Sequence, residues 1–388
     1  MDFDFQWVLL GLPVAFALGW MASRLDLRQW KREQRDHPKA YFKGLNFLLN
    51  EQQDKAIDAF IEAVQHDPDT SALHFALGNL FRRRGEYERA VRVHQHLLNR
   101  GDLPPSERDR AQHGLAQDYM KAGLFDRAEE AWKALEGTAF DTEARLALLT
   151  LHERSRDWRA AVEDAQKLER GSGTGSYASR IAHYWCELAQ EADARGQADD
   201  ADDAMRKARE AAPHAARPLV LAGARARARG DHVQALACWR ELMAAHPHAF
   251  ALVARDHAAS ALTAGDAARA LDELQALYAH VPSLDVLAAI SMLDTDPAAQ
   301  RRRMAQHLSQ HPTLSAAHEL LRLRAAERRA EATADAEIQD IEAAISHAAK
   351  PLQRYRCAAC GFEAHLYFWQ CPGCLSWDSY PTQRLEDL

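Results

Sequence analysis

The sequence predicts an all-α protein with three parts: a membrane-spanning amino-terminal helix, a long array of helix pairs, and a small metal-binding module at the carboxyl end. Three observations predict this organisation. They are a continuous apolar segment near the amino terminus, a repeat of about 34 residues through most of the chain, and four cysteines clustered near the end. At 388 residues the chain is too long for a single compact core.

Composition and charge narrow the class of protein further. Apolar residues make up 47% of the chain and charged residues 27%, which is typical of a folded protein. Alanine is abundant, whereas glycine and proline together supply only 32 residues, and this balance favours helices. The net charge of −8 argues against a nucleic-acid-binding protein, which is normally basic.

The first predicted element is a membrane anchor. Residues 5–22 are apolar except for Gln6, and a helix of this length spans about 27 Å, close to the thickness of the hydrocarbon core of a bilayer. The alternative is a cleaved signal peptide, but such peptides begin with positive charge, whereas this chain begins with Asp2 and Asp4. We therefore expect an uncleaved anchor over residues 1–23.

The charges that flank the anchor predict its orientation. Basic residues predominate after the apolar segment, and residues 24–37 form a basic juxtamembrane segment. By the positive-inside rule, the amino terminus is expected in the periplasm and the rest of the chain in the cytoplasm.

Residues 38–350 match the pattern of tetratricopeptide repeats. Gly44, Phe47, Ala56, Phe60 and Pro68 occur in the expected order in the first unit. The alanine of the second helix recurs at intervals of 33 to 40 residues, at positions 56, 90, 128, 161, 201, 235 and 270. Glycines at 85, 123, 196, 230 and 265 mark the turns within the pairs. The array is expected to form a superhelix of about nine helix pairs.

The first helices of the pairs, called A helices below, are expected to line a concave groove that binds a protein segment. The alternative for each groove residue is packing between repeats. The candidate groove residues are Tyr41, Leu45, Phe75, Asn79, Arg82, His113, Gln117 and Met120.

Residues 351–388 contain the strongest site signal in the chain. Cys357 and Cys360 form one C-x2-C pair, and Cys371 and Cys374 form a second. Two such pairs place four thiolates around one metal ion, and a closed shell of four thiolates is typical of a structural site. Disulfides or a thioredoxin-like redox pair are alternatives, which the cytoplasmic placement disfavours. Both zinc and iron accept four thiolates, so the metal stays open.

No enzyme motif accompanies these features. The sequence contains no nucleophile elbow, dinucleotide fingerprint or HExxH motif. The glycine-rich stretch at 171–176 lacks the lysine of a phosphate loop and is expected to be a flexible insertion. We therefore expect a protein that is not an enzyme.

The order of anchor, tetratricopeptide array and terminal C-A-A-C-G and C-P-G-C knuckles resembles the lipopolysaccharide assembly protein B family. The resemblance covers nearly the whole chain and implies that the knuckles form a rubredoxin-type, or zinc-ribbon, module. It also implies an inner-membrane adaptor that promotes degradation of the deacetylase LpxC by the membrane protease FtsH, and an inner-membrane partner that senses lipopolysaccharide. A general tetratricopeptide scaffold or chaperone for envelope assembly and a rubredoxin-like electron carrier are the alternatives, and the oligomeric state stays open.

Overall fold

A computed structural model describes residues 13–21, 42–66, 70–171, 176–330 and 336–387. Within these residues the chain is almost entirely helical from residue 42 to residue 349, and consecutive helices pair as A and B helices nine times. The predicted all-α array is therefore confirmed.

The helices of the array follow one another through short turns. The A helices are 42–49, Ser71–Arg84, Pro105–Ala122, Asp141–Ser155, Ala178–Ala194, Ala216–Ala228, Ala254–Ala264, Leu284–Leu293 and Leu314–Ala330. The B helices are Gln53–His66, Tyr87–Leu98, Phe125–Lys133, Trp158–Gly171, Ala198–Ala211, His232–Ala245, Ala267–His280, Pro297–Gln310 and Ala336–Ala349. A short 3-10 helix, Ala249–Leu252, precedes the seventh A helix.

The repeated alanine of the B helices lies at the centre of the packing. All seven alanines predicted from the periodicity are completely buried. A larger side chain at these positions would have to displace the neighbouring helix, because the side chains of a protein interior pack as densely as small molecules in a crystal.

Small residues on A helices admit the large side chains of B helices. A Cβ atom added to Gly223 would lie 2.2 Å from Nε1 of Trp239, and one added to Gly44 would lie 3.0 Å from the ring of Phe60. Both Trp239 and Phe60 are buried. Glycine at position 223 is therefore required by the close approach of the Trp239 ring.

The turns between A and B helices have a common geometry. Five glycines adopt positive φ there, as the sequence pattern predicts, and Arg156 adopts the same left-handed conformation in the fourth pair. At Gly85, for example, the backbone N–H groups of Gly85 and Glu86 donate hydrogen bonds to carbonyl oxygens in the last turn of the A helix.

The chain divides into two compact units at the Leu151–His152 boundary. The first has cores such as the cluster of Leu115, Tyr119, Trp132 and Leu148, and the second is centred on Trp239, Phe250 and Leu274. The second unit also contains the carboxy-terminal module.

The carboxy-terminal module contains little regular structure. Two short antiparallel strands, Tyr355–Arg356 and Glu363–Ala364, flank the first cysteine pair, and a 3-10 helix, Leu385–Asp387, lies near the end of the chain.

The predicted anchor, residues 5–22, lies partly outside the described residues. Residues 13–21 are helical. Of the helices that the structure describes, none combines the length and the apolar character that crossing a bilayer requires. The juxtamembrane segment 24–37 and the groove candidate Tyr41 also lie outside the described residues.

Candidate metal centre and its docking site

The two C-x2-C segments fold into knuckles with the same backbone hydrogen bonds. In each knuckle the N–H four residues after the first cysteine donates to that cysteine's carbonyl, and the cysteine N–H donates to the carbonyl five residues on. The bonds are Gly361 N to Cys357 O at 2.9 Å, Leu375 N to Cys371 O at 2.8 Å, Cys357 N to Phe362 O at 2.9 Å and Cys371 N to Ser376 O at 2.9 Å.

The four cysteine sulfur atoms have the spacing of a tetrahedral metal site. All four Sγ atoms lie within 4.8 Å of one another. The Cys357–Cys374 and Cys360–Cys371 distances are 3.8 Å and 3.7 Å. With metal–sulfur bonds of about 2.3 Å, the sulfurs of a tetrahedral zinc site lie about 3.8 Å apart, whereas a disulfide needs about 2.05 Å. The four predicted ligands are therefore brought together, and they can hold one structural metal ion.

The surroundings of Cys357 favour its thiolate form. Burial raises the pKa of this thiol, but a hydrogen bond with the Ser379 hydroxyl and hydrogen bonds from the backbone N–H groups of Cys360 and Ala359 outweigh burial and lower the pKa to about 6. A thiolate is the form that binds a metal, so these contacts favour Cys357 as a ligand. The hydrogen bond from the Phe362 N–H lowers the pKa of Cys360, but the three neighbouring cysteines outweigh it and raise that pKa, so a metal ion would have to displace a proton there.

The metal centre is also the core of the module. Cys357 and Cys371 are buried together with Tyr355 and Tyr380, and partly buried Tyr367 and Phe368 pack against them. Few other apolar side chains contribute, so a bound metal ion would act as the covalent crosslink that so small a core needs.

The module docks through Trp377 on residues of the second unit, four of them on A helices and one, Trp158, at the start of a B helix. We call Glu153, Trp158, His183, Tyr184 and Arg217 the docking pocket. The Trp377 ring stacks on His183, with centroids 4.6 Å apart and 15° between the planes. Trp158 and Tyr184 contact it edge-on, and the Arg217 guanidinium lies 5.5 Å from its centroid. Its indole N–H donates to Glu153 Oε1 at 2.9 Å.

Asp378 adds charged hydrogen bonds to the same contact. Its Oδ2 accepts from His183 Nε2 at 2.8 Å and from the Ser179 hydroxyl at 3.0 Å. Burial raises the pKa of Asp378, but these two donors and the Arg217 charge outweigh it and hold the pKa below its usual value. Asp378 is therefore ionised at neutral pH, and its docking bonds are charge-assisted.

Buried charges hold the docking pocket in place. Glu153 accepts hydrogen bonds from Arg180 at 2.7 Å and from the Tyr184 hydroxyl at 2.5 Å. Burial and the Glu153 carboxylate raise the pKa of Tyr184, so its hydroxyl stays a donor. Arg217 donates to Glu187 at 2.6 Å. These contacts lie within the array, so they help to position the side chains that Trp377 meets.

A second group of contacts lies further along the array. Arg384 pairs with Asp285 at 2.9 Å, and Glu386 accepts from the backbone N–H of Ser315 at 3.2 Å. Leu252 packs against the core of the module. The aromatic side chains around the knuckles, such as Phe368 and Trp377, predict docking on the last helices of the array, whereas the structure shows docking contacts from Glu153 to Ser315.

The candidate groove residues of the first unit mainly contact other residues of the array. Phe75 is buried with Leu97, Leu103 and Ala111, which agrees with the alternative of packing between repeats. Asn79 accepts a hydrogen bond from Arg82 at 2.5 Å, and the Arg82 guanidinium pairs with Asp118 at 2.7 Å.

The other described groove candidates are partly buried. His113 stacks on Phe140 and pairs with Glu143 at 2.8 Å, and Gln117 contacts His113 at 3.1 Å. Met120 packs beside the core of the first unit, and Leu45 is half-buried. Their role in binding a protein segment stays a prediction.

The docking pocket is the site that sequence reasoning missed. The aromatic residues around the knuckles indicate that the module packs against the array, but no pattern marks Glu153, His183 or Arg217. These residues are scattered over three helices and meet only through tertiary structure.

Helix pairs of tetratricopeptide type, with a four-cysteine module docked on them, define this chain as a tetratricopeptide-repeat protein with a structural metal centre. Residues 355–380 match the family model described as "Rubredoxin metal binding domain". The chain is 32% identical to "Lipopolysaccharide assembly protein B" of Escherichia coli strain K12 over 98% of this chain and 99% of that protein. It is 28% identical to the protein of the same name in Haemophilus influenzae over 96% of both chains. The chain belongs to the lipopolysaccharide assembly protein B family.

Solved structures with similar helix pairs show low overall similarity. A tetratricopeptide repeat protein from Parabacteroides merdae is 15% identical and covers 67% of this chain and 99% of its own, with a TM-score of 0.34. The Naa15/Naa10 complex bound to HypK-THB is 14% identical, covers 80% of this chain and 51% of its own, and has a TM-score of 0.42.

Proposed function

We propose that this chain is a membrane-tethered cytoplasmic adaptor that regulates lipopolysaccharide biosynthesis by promoting degradation of the deacetylase LpxC by the protease FtsH. The observation that carries the proposal is the similarity over nearly the whole chain to proteins named for lipopolysaccharide assembly. An inner-membrane protein that senses lipopolysaccharide is proposed as the partner that restrains the adaptor.

The chemistry of the metal centre supports a scaffold rather than an enzyme. Four thiolates complete the coordination of one ion, and a closed site leaves no position for a substrate. A bound ion would crosslink the two knuckles. Trp377 and Asp378 then orient the module on the docking pocket.

Membrane tethering is part of the proposal because it raises the effective concentration of the adaptor near a membrane protease. The apolar segment 5–22 and the basic residues after it support an anchor with its amino terminus in the periplasm. A reporter fused after Leu388 tests this orientation, and activity only in the periplasm would contradict it.

The function is tested in the source bacterium by deleting the gene and measuring the half-life of LpxC. We expect the deacetylase to become long-lived and lipopolysaccharide to be overproduced, and the full-length chain to restore both. A chain without residues 1–23, expressed at native abundance, should restore neither.

Two results would contradict the proposal. An unchanged LpxC half-life in the deletion strain would exclude the adaptor function. Destabilisation of many unrelated envelope proteins in the deletion strain, measured in the same cultures by pulse-labelling and mass spectrometry, would instead support a general chaperone.

A further inference from the structure

A cavity of about 570 Å³ lies among the last helix pairs of the second unit and is closed on one side by the carboxy-terminal segment. Its wall comes from the A helices Leu284–Leu293 and Leu314–Ala330, the B helix Pro297–Gln310, and Arg255. Gln353 and Arg384 complete it from the carboxy-terminal segment. The volume is in the range of ligand-binding pockets.

One part of the wall is apolar and adaptable. It consists of Leu284, Ala288, Met292, Met304 and Leu323. Unbranched methionine side chains can change shape to fit different apolar groups, and this property is used at protein surfaces that bind varied partners. The cavity can therefore accept one large apolar side chain.

The rim of the cavity is cationic in a chain whose net charge is −8. Arg255, Arg322 and Arg384 line it together with His318 and a single carboxylate, Glu319. Arg384 is already paired with Asp285 at 2.9 Å. Arg322 donates two hydrogen bonds to Glu319, and the closest approach of Arg255 to Asp285 is 3.8 Å. The side chains of Arg255 and Arg322 are 65% and 59% exposed, so their guanidinium groups are accessible to an anionic partner.

Neutral polar groups in the wall favour a peptide over an acyl chain as the ligand. Gln353 donates to the Ser315 hydroxyl at 3.0 Å, and Gln300 donates to the Ser291 carbonyl at 2.9 Å. A peptide has backbone N–H and C=O groups that can pair with such side chains, whereas an acyl chain has none. The A helices of such arrays are also the surfaces that bind extended segments.

We propose that this cavity binds an extended peptide segment of a partner protein, in which a large apolar side chain is flanked by acidic residues. The apolar side chain enters between Met292 and Met304, and the carboxylates pair with Arg255 and Arg322. The proposal rests on the proposed adaptor function, because the segment belongs to a protein that the adaptor engages.

The test measures fluorescence anisotropy of a labelled twelve-residue peptide with full-length protein in a neutral detergent. The probe has a glycine–serine background and a central Asp-Leu-Met-Glu sequence. Two control peptides replace the acids by their amides or the apolar pair by serines. We expect saturable binding of the probe that weakens with salt, and at least about tenfold weaker binding of both controls.

Two variants and one matched control locate the site. Arg322→Gln removes a rim charge, and Ala288→Phe fills the cavity without changing charge. Both should weaken probe binding about tenfold or more. Arg324→Gln removes an exposed charge from the same helix outside the cavity and should leave binding unchanged.

Equal binding by Arg322→Gln and Arg324→Gln would overturn the proposal, provided that circular dichroism shows both folded. Displacement of the probe by dodecyl phosphate but by no unlabelled peptide would also overturn it, in favour of an anionic lipid.

Measurements in cells separate this proposal from the proposed function. If gene deletion stabilises LpxC while Arg322→Gln binds the probe normally, the function stands and the site is wrong. If Arg322→Gln loses the probe while gene deletion leaves the LpxC half-life unchanged, the site stands and the proposed function is wrong.

Discussion

Both units join neighbouring repeats through charged side chains on their A helices, as Arg217 and Glu187 do in the second unit at 2.6 Å, and the second unit adds contacts to the metal module. In the first unit Arg82 pairs with Asp118 of the next repeat, and Asp118 also contacts His94 at 2.5 Å. In the second unit the Glu153 carboxylate binds Trp377, which is 224 residues further along the chain. Contacts of the first kind join neighbouring repeats, whereas contacts of the second kind depend on a separate module.

The difference concerns what each contact needs in order to form. A contact between neighbouring repeats forms whenever two helix pairs stack. The Trp377 contact also requires the second knuckle to be folded, because Trp377 lies three residues after Cys374. Metal binding should therefore control the second kind of contact and leave the first kind unchanged.

The largest effect on folding of the module is expected from removing a buried cysteine of the metal centre. Cys371→Ser should abolish metal binding, because a structural zinc site contributes on the order of 10 kcal/mol to folding of its module. Hydrogen exchange measured by mass spectrometry should then be fast in residues 355–380 and faster than normal in the helix Ala178–Ala194. Residues 70–151 should keep their protection.

The matched control for this variant is Cys238→Ser, which changes a buried cysteine outside the metal centre. Metal analysis should show full occupancy in the control and none in Cys371→Ser. Loss of protection throughout residues 70–151 in Cys371→Ser would contradict the separation of the two kinds of contact.

Sequence reasoning succeeds where structure depends on local repetition. The alanine column, the turn glycines and the four metal ligands follow from spacing alone, because each occupies the same position in a repeated unit. The docking pocket could not be predicted in this way. Glu153, His183 and Arg217 contact residues that have no counterpart in other repeats, so no periodicity marks them.

A smaller effect is expected from breaking the docking contact alone. Trp377→Ala should weaken docking by about 3 kcal/mol, because a large, partly buried aromatic side chain and its hydrogen bond to Glu153 are lost. The metal content should stay normal, and hydrogen exchange should increase at the helix Ala178–Ala194. Leu366→Ala, which changes a side chain that is 70% exposed, is the control within the module. Loss of the metal in Trp377→Ala would show that docking and metal binding are a single process.

The first unit offers the converse test. Asp118 is completely buried, and Asp118→Ala leaves the partly buried Arg82 and the buried His94 without their carboxylate. Removal of one partner of a buried ion pair costs about 3 kcal/mol or more. Urea unfolding followed by hydrogen exchange should show destabilisation of residues 70–151, with residues 355–380 unchanged. Asp102→Ala, which removes an exposed partner of Arg100, should have little effect.

The smallest effect on stability is expected from exchanging the residue at one equivalent position of the two knuckles. Gly361 and Leu375 occupy equivalent positions, with φ values of 78° and 61°. Glycine adopts this left-handed conformation without strain, whereas leucine does so at a cost of about 1 kcal/mol. Leu375→Gly should therefore stabilise the metal-bound module by up to about 1 kcal/mol, and Gly361→Ala should destabilise it by a similar amount. The measurement is the rate of metal release to a chelator, which should be slower in Leu375→Gly and faster in Gly361→Ala. Faster release from Leu375→Gly would show that the half-buried leucine side chain contributes more to the knuckle than its backbone conformation costs.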